Sequence, residues 1–120
     1  MARLVDWDTR FTTYLGDARA RAREGQEDYC ALFASGAVEA VTGENPADRF
    51  RGHYREVADN LEAVVAGLFA EIAPGVAGRG DLAWHEGSVG VVIGADALFV
   101  GDNELVRVPR HQWEKAWFVG

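Results

Sequence analysis

The hydrophobic period of this chain changes once, near Pro74-Gly75, and that change limits the folds open to it. Before it, apolar residues recur every three or four positions; after it they alternate in short runs divided by turn residues. Helices first and strands afterwards predict an α+β fold, with the helices packed on one face of an antiparallel sheet of roughly five strands. The 120 residues are read as one domain over 1–120, helical to about residue 74 and β-rich from about 75. Two separate cores in a chain this short would each be too small to offset the entropy of ordering them.

Trp7, Phe11, Tyr14, Leu15 and Ala18 share one helical face and predict a helix over roughly residues 7–22, with Asp6 or Asp8 as its N-cap. YCALFASGAVEAVTG is apolar almost throughout, which predicts a buried helix beginning near Cys30, with Gly43 in the left-handed position after its end. Asn45-Pro46 signals another start, so PADRF is read as a short helix closed by Gly52 and anchored by Phe50. From Arg55, the residues Val57, Leu61, Val64, Val65, Leu68, Phe69 and Ile72 keep the helical period until Pro74 ends it. The strands then read DLAWH, SVGVVIG, ALFVG, ELVRV and KAWFV, with a helical turn at PRHQWE between the last two. Trp113 and Trp117 are read as core residues under the last strand, an exposed interface patch being the alternative.

A net charge of -7 and a pI near 4.8 leave nothing to neutralise a run of phosphates, so nucleic acid is not an expected partner. Arg19, Arg21 and Arg23 are followed by Glu24, Glu27 and Asp28, and read as a solvated helix face. A single cysteine cannot form an intramolecular disulfide and does not make a cysteine-based zinc site, so no metal or other cofactor is expected. No segment approaches the length of a membrane span, and MARLVDWDTR lacks the apolar run of a secretory signal, so folding in a cytosol is expected.

Chemistry centres on Cys30. A thiol in the first turn of a helix meets the partial positive charge of unpaired N–H groups, which favours the thiolate; Glu27 and Asp28 oppose it. A buried structural cysteine is the competing reading. Nucleophilic catalysis needs a histidine base within hydrogen-bond reach. The candidates are His53 in RGHY, His85 at the end of DLAWH and His111 in PRHQW.

The element order and several motifs resemble the NlpC-type peptidases of bacterial cell walls, a papain-like family that cleaves peptidoglycan stem peptides. Asp28-Tyr29-Cys30-Ala31-Leu32-Phe33 is similar to the nucleophile motif of that family, with one residue inserted, and Gly80-Asp81 to the pair that opens its first core strand. The resemblance implies a papain-like fold with Cys30 at the nucleophile position. It places Ser88 where the family carries its base histidine, and Val100 where a third polar residue stands. CALFASGAVEAVTG, FRGHY and KAWFVG also resemble small proteins of tailed bacteriophages and gene-transfer-agent-like particles.

Three functions follow as expectations. The first is a catalytically impaired NlpC-like domain at a phage tail tip, structural or wall-binding, assembled in the host bacterial cytoplasm with other tail proteins and in contact with peptidoglycan. The second is an active cysteine peptidase or amidase, in which Cys30 attacks and a displaced His85 is the base. The third is a cytosolic protein-binding module. The first reading expects every histidine to lie far from the Cys30 thiol.

Overall fold

A computed structural model describes residues 2–25, 30–47 and 58–120. Among them three helices, α1 (Trp7–Arg23), α2 (Cys30–Thr42) and α3 (Ala58–Leu68), precede six strands. These are β1 (Ala70–Ile72), β2 (Leu82–His85), β3 (Ser88–Val92), β4 (Asp96–Val100), β5 (Leu105–Pro109) and β6 (Lys115–Phe118). They form one open antiparallel sheet in the order β1-β6-β2-β3-β4-β5. The α+β class is as the sequence predicts, but the sheet has six strands rather than five.

The additional strand comes from residues read as the end of the third helix. The open edge of β6 offers the backbone groups of these residues hydrogen-bond partners in place of helical ones. The chain leaves α3 at Leu68, and Ala70–Ile72 pairs with Phe118, Trp117 and Ala116. Pro74-Gly75 then forms a 3-10 turn, Pro74–Val76. Of PADRF only Pro46 and Ala47 are described, where Asn45 Oδ1 accepts from the Ala47 N–H at 2.8 Å; Phe50, Gly52, His53 and the expected helix start at Arg55 lie outside the described residues.

Asp6 stands at the N-cap of α1, but its side chain makes no capping bond. Asp8 in the first turn is instead held by Arg79, whose Nε donates to Oδ1 at 2.8 Å while Nη2 donates to Thr12 Oγ1 at 2.8 Å. The Tyr14 hydroxyl donates to the Phe33 carbonyl at 2.8 Å and joins α1 to α2. Arg10 Nε donates to the Ala40 carbonyl at 2.8 Å, a cation placed at the negative end of α2. Gly43 closes α2 at φ 81° with its N–H on the Glu39 carbonyl, the cap that sequence predicts. Lys115 of β6 reaches Glu62 of α3 at 2.6 Å, and that carboxylate raises the lysine above its ordinary pKa.

Because successive side chains of a strand point to opposite faces, the sheet carries two apolar layers rather than the single core expected. Leu82, Trp84, Val89, Val91, Leu98 and Trp117 meet the helices. Ala83, Val92, Ala97, Phe99, Val108 and Ala116 face the other way, covered by Ala77 and Trp113. Trp113 and Trp117 are both buried, on opposite sides. A 3-10 turn, Arg110–Gln112, falls where a helical turn is expected. Arg110 fastens this cover by donating to the carbonyls of Pro74, Ala77 and Gly94 at 2.6–2.7 Å.

One buried carboxylate joins both ends of the described chain to the sheet. Asp81 Oδ1 accepts from Arg3 Nη2 at 2.8 Å and from the Val119 N–H at 3.0 Å, and Oδ2 accepts from the Gly78 N–H at 2.8 Å. Arg3 also donates to the carbonyls of Val119 and Arg79 and stacks 4.4 Å over the Trp7 ring. Gly80 has φ 93°, and an added Cβ would come within 3.1 Å of Arg3 Nη1 and 3.3 Å of the Trp7 ring, so this turn requires glycine twice over. Asp81→Ala strands these donors. It is expected to cost about 3 kcal/mol in urea denaturation, the lower end for breaking a buried pair, because Arg3 keeps some contact with water. Arg107→Ala, at the 3.7 Å exposed pair with Asp96, is expected to cost about 0.5 kcal/mol or less.

Candidate functional site

The thiol of Cys30 opens α2 and is half-buried against the helix-side layer. Ala31, Ala34, Ala37, Val38 and Val41 are buried along the same helix, which lies over β3 and β4. Their small size lets α2 approach closely: Gly36 lies against the Tyr14 ring, where a Cβ would overlap it. Val100 and Leu105, a cross-strand pair at one end of β4 and β5, pack against the same layer as Cys30.

His85 and Ser88 are brought together, but on the other face. They are directly paired across the β2–β3 hairpin, next to the pair Trp84 and Val89. Trp84 and Val89 belong to the helix-side layer, so alternation turns His85 and Ser88 to the outer face. The His85 ring stands edge-on to Phe99 of the outer layer, centroids 5.9 Å apart. The sheet therefore stands between Cys30 and both His85 and Ser88. His111 is exposed in the Arg110–Gln112 turn, beside the Trp113 cover of the outer face. Among the described residues at this end of the sheet, Val89, Val100 and Leu105 turn toward the helices, and none of them can take a proton.

The outer face carries a groove of about 250 Å³, lined by His85, Glu86 and Ser88 together with Phe99, Val106 and Val108; it also touches Val100 at the end of β4, whose side chain packs toward the helices. His85 Nδ1 lies 3.0 Å from the Gln112 carbonyl. A carbonyl only accepts, so Nδ1 carries a proton, and in the neutral ring Nε2 is then the acceptor. It lies 3.8 Å from Glu86 Oε1.

Sequence reasoning passes over two residues here. Glu86 reads only as part of an Glu-Gly turn, and Arg3 has no local signal because its partner Asp81 is 78 residues away. Asp81 does carry a signal, the Gly-Asp pair, and the structure gives it a structural task. Among the described residues no group of three or more His, Cys, Asp or Glu is placed to hold a metal ion. No described helix is long and apolar enough to cross a membrane.

These features define a small α+β domain with helices on one face of an open six-stranded sheet and a cysteine-headed helix against that face. Residues 2–119 match the model of a family described as a domain of unknown function, DUF6950, and the chain belongs to that family. No curated protein and no solved structure matches it.

The facing of these residues is testable through thiol reactivity. Ser88→His places a histidine on the face away from Cys30, so alkylation of Cys30 at neutral pH is expected to stay within about twofold of the parent rate. Val100→His, on the Cys30 side, is expected to accelerate it more than Ser88→His does.

Proposed function

We propose that this chain is a catalytically impaired NlpC-like domain that serves as a structural or wall-binding part of a phage tail, at its tip. The observation that carries the reading is the sheet standing between Cys30 and the His85–Ser88 pair. Attack on a peptide carbonyl needs a base to take the thiol proton and later return one to the leaving amine. Val89, Val100 and Leu105, which share the thiol's side, do neither. The sequence supports the family side of the reading through Cys30 at a helix head, the Gly80-Asp81 pair and the SVGVVIG strand. It supports the tail setting through CALFASGAVEAVTG, FRGHY and KAWFVG. A tail protein of this kind assembles with other tail proteins in the host cytoplasm and leaves it in the particle.

The test uses purified peptidoglycan and the full chain. Neither the parent nor Cys30→Ala is expected to release stem-peptide fragments detectable by mass spectrometry, and iodoacetamide is expected to label Cys30 no faster than an ordinary thiol. Rapid labelling at neutral pH, with fragment release that Cys30→Ala abolishes, overturns the impaired-enzyme reading. The tail setting is checked separately by proteomics of purified virions, where the chain is expected with the tail proteins rather than only in the lysate.

A further inference from the structure

The outer groove lies across the sheet from Cys30, and what it binds has no part in the reading of the thiol. It crosses four strands, from His85 of β2 past Ser88 of β3 and Phe99 of β4 to Val106 and Val108 of β5. Three strand spacings give it a length of about 14 Å. Its two ends differ in chemistry. The β5 end is apolar, with Val106 40% exposed. The β2–β3 end is polar, and no lysine or arginine is among its described lining residues.

The polar end is held in place by neighbouring groups. The Gln112 carbonyl holds His85 through Nδ1, which leaves Nε2 of the neutral ring as an acceptor, and Glu114 Oε2 accepts from the Glu86 N–H at 2.7 Å, which anchors the hairpin tip. Glu86 has φ 48° and Gly87 φ 78°, a two-residue turn with both residues left-handed. Its first position favours Asn, Asp or Gly, so glutamate stands there against local preference. The feature that distinguishes glutamate from those residues is a carboxylate on a longer stem, next to the groove.

We propose that this groove binds a primary ammonium on an aliphatic stem: the side chain of a lysine flanked by apolar residues in a peptide segment of a partner. An ammonium has three donors and no acceptor. His85 Nε2, the Glu86 carboxylate and the Ser88 hydroxyl are three acceptors at one end of the groove. The methylene stem and an apolar neighbour lie along Phe99, Val106 and Val108, as lysine stems do on apolar surfaces. The net charge of -7 draws a cationic segment to the chain. This inference goes beyond the reading of Cys30, and its failure would leave that reading as it stands.

The probe is the blocked tripeptide acetyl-Val-Lys-Val-amide, titrated into the ¹⁵N-labelled full chain, with its Nε-acetyl form as the comparison. Shifts are expected at Glu86, Ser88 and Val106, with affinity about tenfold or more above that of the acetylated peptide, the loss expected for a charge-assisted hydrogen bond. Glu86→Asn is the sharpest variant because asparagine suits the left-handed turn. It is expected to keep or raise Tm while weakening binding about fivefold or more. Val106→Lys is expected to abolish binding without unfolding the chain, since the position is exposed. The proposal is overturned if no shift appears at these residues up to about 10 mM peptide, if both peptides bind equally, or if Glu86→Asn binds like the parent.

Discussion

The carboxylate of Asp81 is the constraint on which the rest of the structure depends. A carboxylate taken out of water must be met by donors, and here they come from places far apart in the chain: Arg3 before α1, Gly78 in the preceding turn and Val119 after β6. Satisfying one side chain therefore closes the described chain into a ring of contacts, with the start of β2 at its centre. Arg79, in the same turn, carries the connection outward to Asp8 and Thr12 of α1. The position of α1, and through Tyr14 and Arg10 the position of α2, follows from this turn.

The sheet that this turn anchors acts as a partition. One of its faces is covered by helices and the other in part by Ala77 and Trp113, so each strand sends alternate residues into two different layers. That alternation decides the chemistry. Ser88 and Val89 are neighbours in sequence and lie on opposite sides of the partition, one beside His85 and the other in the layer that holds Cys30. Two sites result: a half-buried thiol among apolar residues, and a groove whose acceptors lie together on the outer face.

Elements whose signals are local are legible in the sequence. α2 can be read from its apolar run and Gly43, and β2 to β6 from alternating residues between turns, because these patterns depend on neighbours a few positions away. β1 is not legible. Ala70-Glu71-Ile72 continues a helical period, and it becomes a strand because β6, more than forty residues later, offers an open edge. Of the two residues offered as the N-cap of α1, Asp6 stands there without a side-chain capping bond, and Asp8 is taken up by Arg79 from another part of the fold. In the site, Cys30 at a helix head and the His85–Ser88 hairpin are visible in the sequence. Their separation is not.

By itself the sequence determined the class of fold, the run of helices into strands, and the cysteine at the head of a buried helix. These follow from composition and short-range periodicity. Only the tertiary structure decided the sixth strand, the task of Asp81, and the face to which each side chain at the end of the sheet turns. Alternation along β3 tells that residues 88 and 89 point oppositely, but which of them meets the helices depends on register and on where α1 and α2 dock. Both are settled by contacts between distant segments, those of the Asp81 carboxylate included.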